Sequence, residues 1–349
     1  MQILCSNFPP VKTQNATFAD TFYGFLPNAD CLNIAVGYIT ADSLIELQKA
    51  IELNHVHQLN LIIGMHYIAQ FTPVEYRTAV KLNEFLHSNA IGEVRLVTPF
   101  RYHGKIYTFY RSGKPFASII GSNNLSSIVD SRNGIYEASL CVSESNILND
   151  LDKLFHDLYD KATENIADLE ITSFKEENAV LEGQDFVEKA SMEEMIECRK
   201  ALTDIRFEIP IKDTPQSNLN VFFGKGRETM STGVIKPRHW YEAEIIVPKT
   251  ITSMAGYPQA QSSTASFNVI TDDGWKFKCK VSGDYSKNLR SDGDLRILGK
   301  WLKGRLENAG VLCGIQPVMN QTLQEYGRTS FSLIKTTIPN LWYLDFGVR

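Results

Sequence analysis

The chain lacks the features that mark several large protein classes. Its six cysteines, at positions 5, 31, 141, 198, 279 and 313, form no C-x-x-C and no close pair. That argues against a disulfide framework or a zinc cage of paired thiols, and it fits a reducing compartment. No apolar run approaches the roughly 18 residues a membrane span needs, so no membrane segment is expected. The opening residues, MQILCSNFPPVK, have no basic start followed by an apolar core. No secretory signal is therefore read, and a cytoplasmic location is expected. There is no G-K-[ST], so any ATP dependence would have to come from another subunit.

Net charge is also low, at −5 over 349 residues, but it is unevenly placed. Val221 to Gly310 carries fourteen Lys and Arg against nine Asp and Glu, whereas Val142 to Lys200 carries sixteen acidic residues against six basic ones. An acidic connector precedes a basic second half. The length exceeds one comfortable core and predicts two domains. Their expected bounds are 1–170 and 201–349, with an acidic linker over 171–200.

Residues 32–39, LNIAVGYI, read as a buried strand, and Asp42 is placed to cap a helix bearing Leu44, Ile45, Leu47, Ile51 and Leu53. Leu59 to Gly64 is a second strand, a helix runs from Pro73 to about Ser88, and Glu93 to Val97 is a third strand. Such alternation predicts an α/β layered domain. An amphipathic helix over Ile147 to Leu169 closes it, and a short helix follows around Met192 to Leu202. From Asn218 the pattern changes to short apolar runs, LNVFF, YEAEIIV, ASFNVI and WKFKCKV, between turn-rich clusters. This predicts an all-β barrel or sandwich, with DLRILGKWLKGRLENAG as a structural helix.

The most informative stretch is HGKIYTFYRSGKPFASIIGSNN, residues 103–124. His103 and Lys105 share a face if extended, and Ser122 and Asn124 repeat that spacing after the apolar run Phe116 to Ile120. A turn around residues 111–115 makes the two runs a hairpin that brings the four groups together. Glu137, in the apolar run Ile135 to Val142, supplies a carboxylate able to orient an imidazole. A nucleophilic or acidic histidine surrounded by hydrogen-bond donors suits attack on a phosphodiester. His55 and His57 lack a third ligand and read as helix-end residues, while His66, at a strand's C-terminal end, could lie near the site although nothing around it supports a role. In the basic half, GKGRETMSTGVIKPRHWYE offers Lys225, Arg227, Lys236 and Arg238, and SGDYSKNLRSDGD offers Tyr285, Lys287, Asn288 and Arg290. Two such arms could hold a DNA duplex, basic groups on phosphates and Asn, Arg and Tyr on base edges.

The pattern H-x-K, then G-S-x-N, then an acidic residue resembles the phospholipase D superfamily. The resemblance implies His103 as nucleophile or general acid, Lys105, Ser122 and Asn124 as phosphate binders, and Glu137 as the histidine's partner. Many members carry an aspartate where this chain has Tyr110, a departure that counts more against a lipase-like member than a nuclease-like one. With the second half, the whole chain resembles the NgoFVII family of restriction endonucleases, whose nuclease domain precedes a B3-like DNA-binding pseudobarrel.

That resemblance implies sequence-specific cleavage of double-stranded DNA with neither metal nor cofactor. It also suggests a separately encoded helicase-like ATPase as partner. The mechanism calls for two histidines and the chain has one motif copy. A homodimer through the first domain, with one shared active site, is therefore expected. The rival readings are a lipid phosphodiesterase and a DNA-binding module with an inert nuclease-like domain. The connector, with Glu176, Glu177, Glu193 and Glu194, is read either as a cover for a basic cleft or as a solvated linker.

Overall fold

The computed structural model describes residues 1–129, 134–176, 179–228, 235–263 and 265–348. It divides into two units: Met1–Asn178 with Arg227–Pro237 and Cys313–Ile315, and Ala179–Gly226 with Arg238–Leu312 and Gln316–Arg349. Among the described residues no helix is long and apolar enough to cross a membrane.

In chain order the first unit contains β1 (Gln2–Cys5), α1 (Phe18–Phe25), β2 (Cys31–Val36), α2 (Ala41–Leu53), β3 (Gln58–Ile63) and α3 (His66–Ala69). It continues with α4 (Pro73–Ser88), β4 (Gly92–Val97), β5 (Ile106–Arg111), β6 (Lys114–Gly121), β7 (Ala138–Val142), α5 (Ser145–Ala162) and β8 (Thr163–Asn165). The sheet order is β1-β7-β6-β5-β2-β3-β4-β8. β2, β3 and β4 are parallel to one another, while β5 runs antiparallel to β2 and begins an antiparallel half.

Strand alternation sorts side chains to the two faces. Leu32, Ile34, Val36, Leu61 and Ile63 join a core with Leu44, Leu47 and Ile51 of α2 and Leu82 and Leu86 of α4. Ala35 and Ile62 point the other way, onto Phe155 and Leu158 of α5. Helix-sheet-helix layering follows, as alternating elements require.

Two helix boundaries differ from the sequence reading. Thr40 is the N-cap of α2, and Asp42 lies inside the first turn, where its carboxylate accepts from the Thr40 hydroxyl at 2.5 Å and from the Ser43 N–H at 3.0 Å. α5 stops at Ala162 rather than Leu169, because Thr163–Asn165 adds to the sheet edge beside β4. Arg95 holds that turn of chain, donating to Thr163 Oγ1 at 2.8 Å and to the Thr163 carbonyl at 2.7 Å. The Pro73 helix has the expected bounds, with a Thr72–Glu75 capping box.

In the second unit lie β9 (Glu188–Lys189), α6 (Met192–Lys200) and β10 (Leu202–Pro210). A small ladder, β11 (Arg227–Glu228) with β12 (Ile235–Lys236), belongs with the first unit. Then follow β13 (Ile245–Ile246), α7 (Lys249–Thr252), β14 (Ser266–Thr271), β15 (Trp275–Ser282), β16 (Asn288–Ser291), α8 (Ile297–Asn308), α9 (Asn320–Tyr326), β17 (Ser330–Thr336) and β18 (Leu341–Asp345). The sheet order is β10-β17-β18-β14-β15-β16-β13, with β9 pairing β15.

The short apolar runs suggested an all-β unit with one structural helix, but α6, α7, α8 and α9 accompany the sheet. α8 is buried along most of its length, and its Glu307 accepts from Trp240 Nε1 and the Tyr241 hydroxyl at 2.7 Å each. The acidic connector is divided. Ile171 and Phe174 pack on the first core, while α6 has its Cys198 in a cluster with Ile270, Ile334 and Tyr343. Glu194 accepts from Lys276 at 2.7 Å, and Glu177 lies outside the described residues.

Tyr110 occupies the far end of β5 from Lys105. Its hydroxyl donates to Asp152 at 2.6 Å and accepts from Asn33 Nδ2 at 3.1 Å, and burial followed by the Asp152 hydrogen bond drives its pKa up. Tyr110→Phe should therefore destabilise the protein by about 1–3 kcal/mol in urea denaturation, through the partners it strands.

Candidate active site

Strand polarity gathers the chemistry at one end of the first sheet. β2 and β3 end there at Val36 and Ile63, β5 starts there because Ala35 pairs Ile106, β6 ends there at Gly121, and β7 starts there at Ala138. The carboxyl ends of parallel strands are where open α/β sheets present their sites. His103 and Lys105 lie just ahead of β5, and Ser122 and Asn124 directly follow β6. The Ile106–Ile120 pairing sets these two segments side by side. The hairpin between them turns on Ser112 and Gly113, both at positive φ, 51° and 73°. Glycine at the second position is what such a two-residue turn favours.

Lys105 is buried while His103 is exposed. The lysine Nζ lies 3.1 Å from His103 Nδ1 and donates to the His103 carbonyl at 2.8 Å. Burial lowers the Lys105 pKa, and the Glu137 charge opposes that shift. The same Nζ lies 3.4 Å from His103 Nε2, so the ammonium sits close to both ring nitrogens. Asn124 Oδ1 accepts the Tyr38 N–H at 3.1 Å, which leaves its NH₂ as the end available to an anionic oxygen. The Ser122 hydroxyl is engaged with the backbone of Ala138, accepting from its N–H at 3.0 Å and donating to its carbonyl at 3.1 Å. Here it ties G-S-N-N to the residue after Glu137. Glu137 is in turn fixed by Ser6, whose hydroxyl accepts the Glu137 N–H and whose own N–H reaches the Glu137 carbonyl, both at 2.9 Å. Among the described residues its carboxylate makes no hydrogen bond to His103; its charge acts on Lys105 and Tyr107.

The sequence reading missed the supports. The buried Tyr107 hydroxyl holds the Asn123 carbonyl at 2.9 Å, and Ser139 donates to Asn123 Oδ1 at 2.5 Å. Tyr38 sets its ring edge against His103, centroids 5.7 Å apart. The chain enters the motif under Gly64, whose carbonyl accepts the Tyr102 N–H at 3.1 Å. Among the described residues no group of three His, Cys, Asp or Glu could hold a metal ion.

The eight predicted DNA-contact residues are differently placed. Lys225 is exposed in the second unit, and Arg227 is exposed in β11. Lys236, in β12, donates to Asp20 of α1 at 2.6 Å, and Arg238 is held by both Glu242 oxygens at 2.8 and 2.5 Å. Residues 229–234, the middle of that arm, lie outside the described residues. The second arm is compact. Tyr285, 65% exposed at φ 56°, carries Lys249 over its ring at 4.0 Å, a lysine the sequence reading passed over. Lys287 and Asn288 are part-exposed beside it, and Arg290 lies 3.8 Å from Glu244.

The two units are thus a phospholipase D-like domain carrying an H-x-K/G-S-x-N site and a B3-like DNA-binding domain. Residues 17–171 match the NgoFVII restriction endonuclease N-terminal PLD domain, and residues 197–337 match the NgoFVII C-terminal B3-like DNA-binding domain. The chain belongs to the NgoFVII restriction endonuclease family. No curated protein matches it. Among solved structures it is similar to a phosphatidylserine synthase from Haemophilus influenzae Rd KW20, at 15% identity and TM-score 0.33 over 48% of this chain and 41% of that one. Another is a polyphosphate kinase from Porphyromonas gingivalis, at 11% identity and TM-score 0.31 over 93% and 54%. The chain thus spans 41% and 54% of the lengths of these two structures.

A Cβ on Gly64 would stand 2.2 Å from the Tyr102 carbonyl oxygen, a backbone atom one residue before His103. Gly64→Ala should therefore lower the melting temperature and shift the His103 ring signals in NMR spectra. Gly24, inside α1 with open space around its Cβ position, is the control. Gly24→Ala should leave those signals in place and add about 0.5–1 kcal/mol of stability.

Proposed function

We propose that the chain is a restriction endonuclease that hydrolyses DNA phosphodiester bonds with His103 as nucleophile, and that it needs no metal. The observation that carries this reading is the meeting of His103, Lys105 and Asn124 at one sheet end, with Ser122 and Glu137 beside them. The His103 nitrogen attacks phosphorus, and the bond from phosphorus to the leaving nucleotide oxygen breaks as that oxygen takes a proton. Water then attacks the phosphohistidine, giving up its proton as the P–N bond breaks. Lys105 and the Asn124 NH₂ donate to the non-bridging oxygens as their charge grows. Ser122 joins them on releasing the Ala138 carbonyl. These are charge-stabilising donors, whereas a Mg²⁺ site would gather several carboxylates, and here Glu137 is the one named acid.

The proton for the leaving oxygen comes from His103 of the partner subunit, in a homodimer with one shared active site. An uncovered apolar row supports this. Ile3, Leu140 and Ile120 sit in register across β1, β7 and β6, 55%, 40% and 36% exposed. α5 shields the neighbouring Ile106 and Val142 with Leu148 and Leu151 but not that row. Ile120 is two residues before Ser122, so an isologous contact on this face brings two motif copies close. Double-stranded DNA is the substrate held by the B3-like unit, with exposed Lys225 and the Tyr285 arm as its candidate contacts. A helicase-like ATPase supplied separately would account for any ATP dependence.

Two experiments test the reading. Purified protein should cut plasmid DNA in excess EDTA, and His103→Ala should cut at less than about one-hundredth of the wild-type rate. Cutting that vanishes in chelator and returns with Mg²⁺ alone refutes the mechanism. Mixing wild-type chains with excess His103→Ala chains under subunit exchange should suppress cleavage beyond dilution. Activity that tracks only the wild-type amount, with an active monomer in sedimentation, refutes the shared site.

A further inference from the structure

We propose that His66 is a positioning residue for the motif, its imidazole fixing Tyr38 and Ile39 and through them the placement of His103 and Asn124. The proposal rests on the phosphodiesterase reading of that motif and names a residue the motif does not contain.

Tyr38 and Ile39 leave the end of β2 after Gly37, where the ladder with β3 stops supplying acceptors. Their two consecutive N–H groups still need partners. One goes to Asn124 Oδ1 at 3.1 Å, and the other to His66 Nε2 at 3.1 Å. His66 is 2% exposed, stacks on Phe71 with ring centroids 4.5 Å apart, and meets the Tyr38 ring edge-on at 5.5 Å. The opposite neighbour of Tyr38 is His103, at 5.7 Å. A continuous packed path therefore runs Phe71–His66–Tyr38–His103, and a hydrogen-bonded one runs His66–Ile39–Tyr38–Asn124.

The acceptor must be a neutral imidazole. With Nε2 accepting, the ring proton resides on Nδ1, which faces Glu75 Oε2 at 4.0 Å. Burial, with the Lys175 charge adding to it, pulls the His66 pKa down to about 4, so the ring stays neutral around neutral pH. Without this acceptor the Ile39 N–H has to turn toward another partner. That peptide joins the one carrying the Tyr38 N–H at the Tyr38 Cα, so turning it changes the Tyr38 backbone angles, loosening both the N–H on Asn124 Oδ1 and the ring against His103. Small misplacements of reacting groups have large kinetic costs.

The test uses the full-length chain and two variants. His66→Phe keeps the stacked ring and loses the acceptor, whereas His66→Gln restores an acceptor oxygen. Expected for His66→Phe is a fall in kcat for plasmid cleavage of about tenfold or more, DNA affinity within about twofold of wild type, and a moved NMR titration midpoint for the His103 ring. His66→Gln should recover most of kcat and the wild-type midpoint. A folded His66→Phe protein with unchanged kcat and midpoint overturns the proposal. If His66→Phe does not fold, His66→Gln decides: wild-type kcat and midpoint support the acceptor role, and loss of both in a folded protein overturns it. Should wild-type protein cleave no DNA, the functional reading fails, and the His103 titration still reports the coupling to His66.

Discussion

The antiparallel pairing of β5 against β2, with Ala35 opposite Ile106, is the constraint on which the site depends. β2, β3 and β4 all run one way, and a fourth parallel strand would have carried Lys105 to the opposite edge of the sheet from Gly37 and Tyr38. Reversal at this one junction returns the motif to the carboxyl ends of the parallel strands. The next two antiparallel pairings, β5 with β6 and β6 with β7, bring Ser122 and then Glu137 to the same edge. Register matters as much as direction, because a slip of one residue would exchange the faces of every side chain in the strand. Buried Tyr107 and Phe109 on one face and Ile106, Thr108 and Tyr110 on the other make such a slip costly.

Once assembled, the site works with charge that is partly withdrawn from water. Lys105 is buried, and among the described residues its cation is countered by the charge of Glu137 rather than by a direct ion pair. A tight carboxylate contact would consume the ammonium's hydrogens, which the proposed phosphate binding requires. The second unit uses charge differently. Arg238 and Lys276 are committed to Glu242 and to Glu188 and Glu194, so part of its basic excess is internal bracing.

The motif was legible in the sequence because H-x-K and G-S-x-N are short spacings flanking a turn near residues 111–115, although His103 and Lys105 lie ahead of β5 rather than on a strand as read. The Pro73 helix was equally plain, since a proline and a capping box fix its start locally. What escaped the sequence depends on partners distant along the chain. Tyr38 and His66 gain their places only when β2 and β3 end side by side, and nothing next to either residue announces that. The end of α5 was missed because an apolar 3.6-residue pattern does not show that Arg95 awaits Thr163. Counting Lys and Arg in the first arm likewise could not reveal that Asp20 takes Lys236 and Glu242 takes Arg238. The second unit's helices were undercounted because short strands with polar turns dominate its pattern.

Among the described residues the one parallel pairing in the second sheet, β14 with β18, joins residues far apart in the chain, Asn268 with Leu341 and Thr271 with Leu344. β18 is an interior strand flanked by β17 and β14, so the DNA-binding sheet stays split until residues 341–345 have left the ribosome. The nuclease-like sheet has all eight strands in hand by Asn165. During synthesis the first sheet can therefore assemble well before the second, which makes the order of translation a timing element in the folding of each unit.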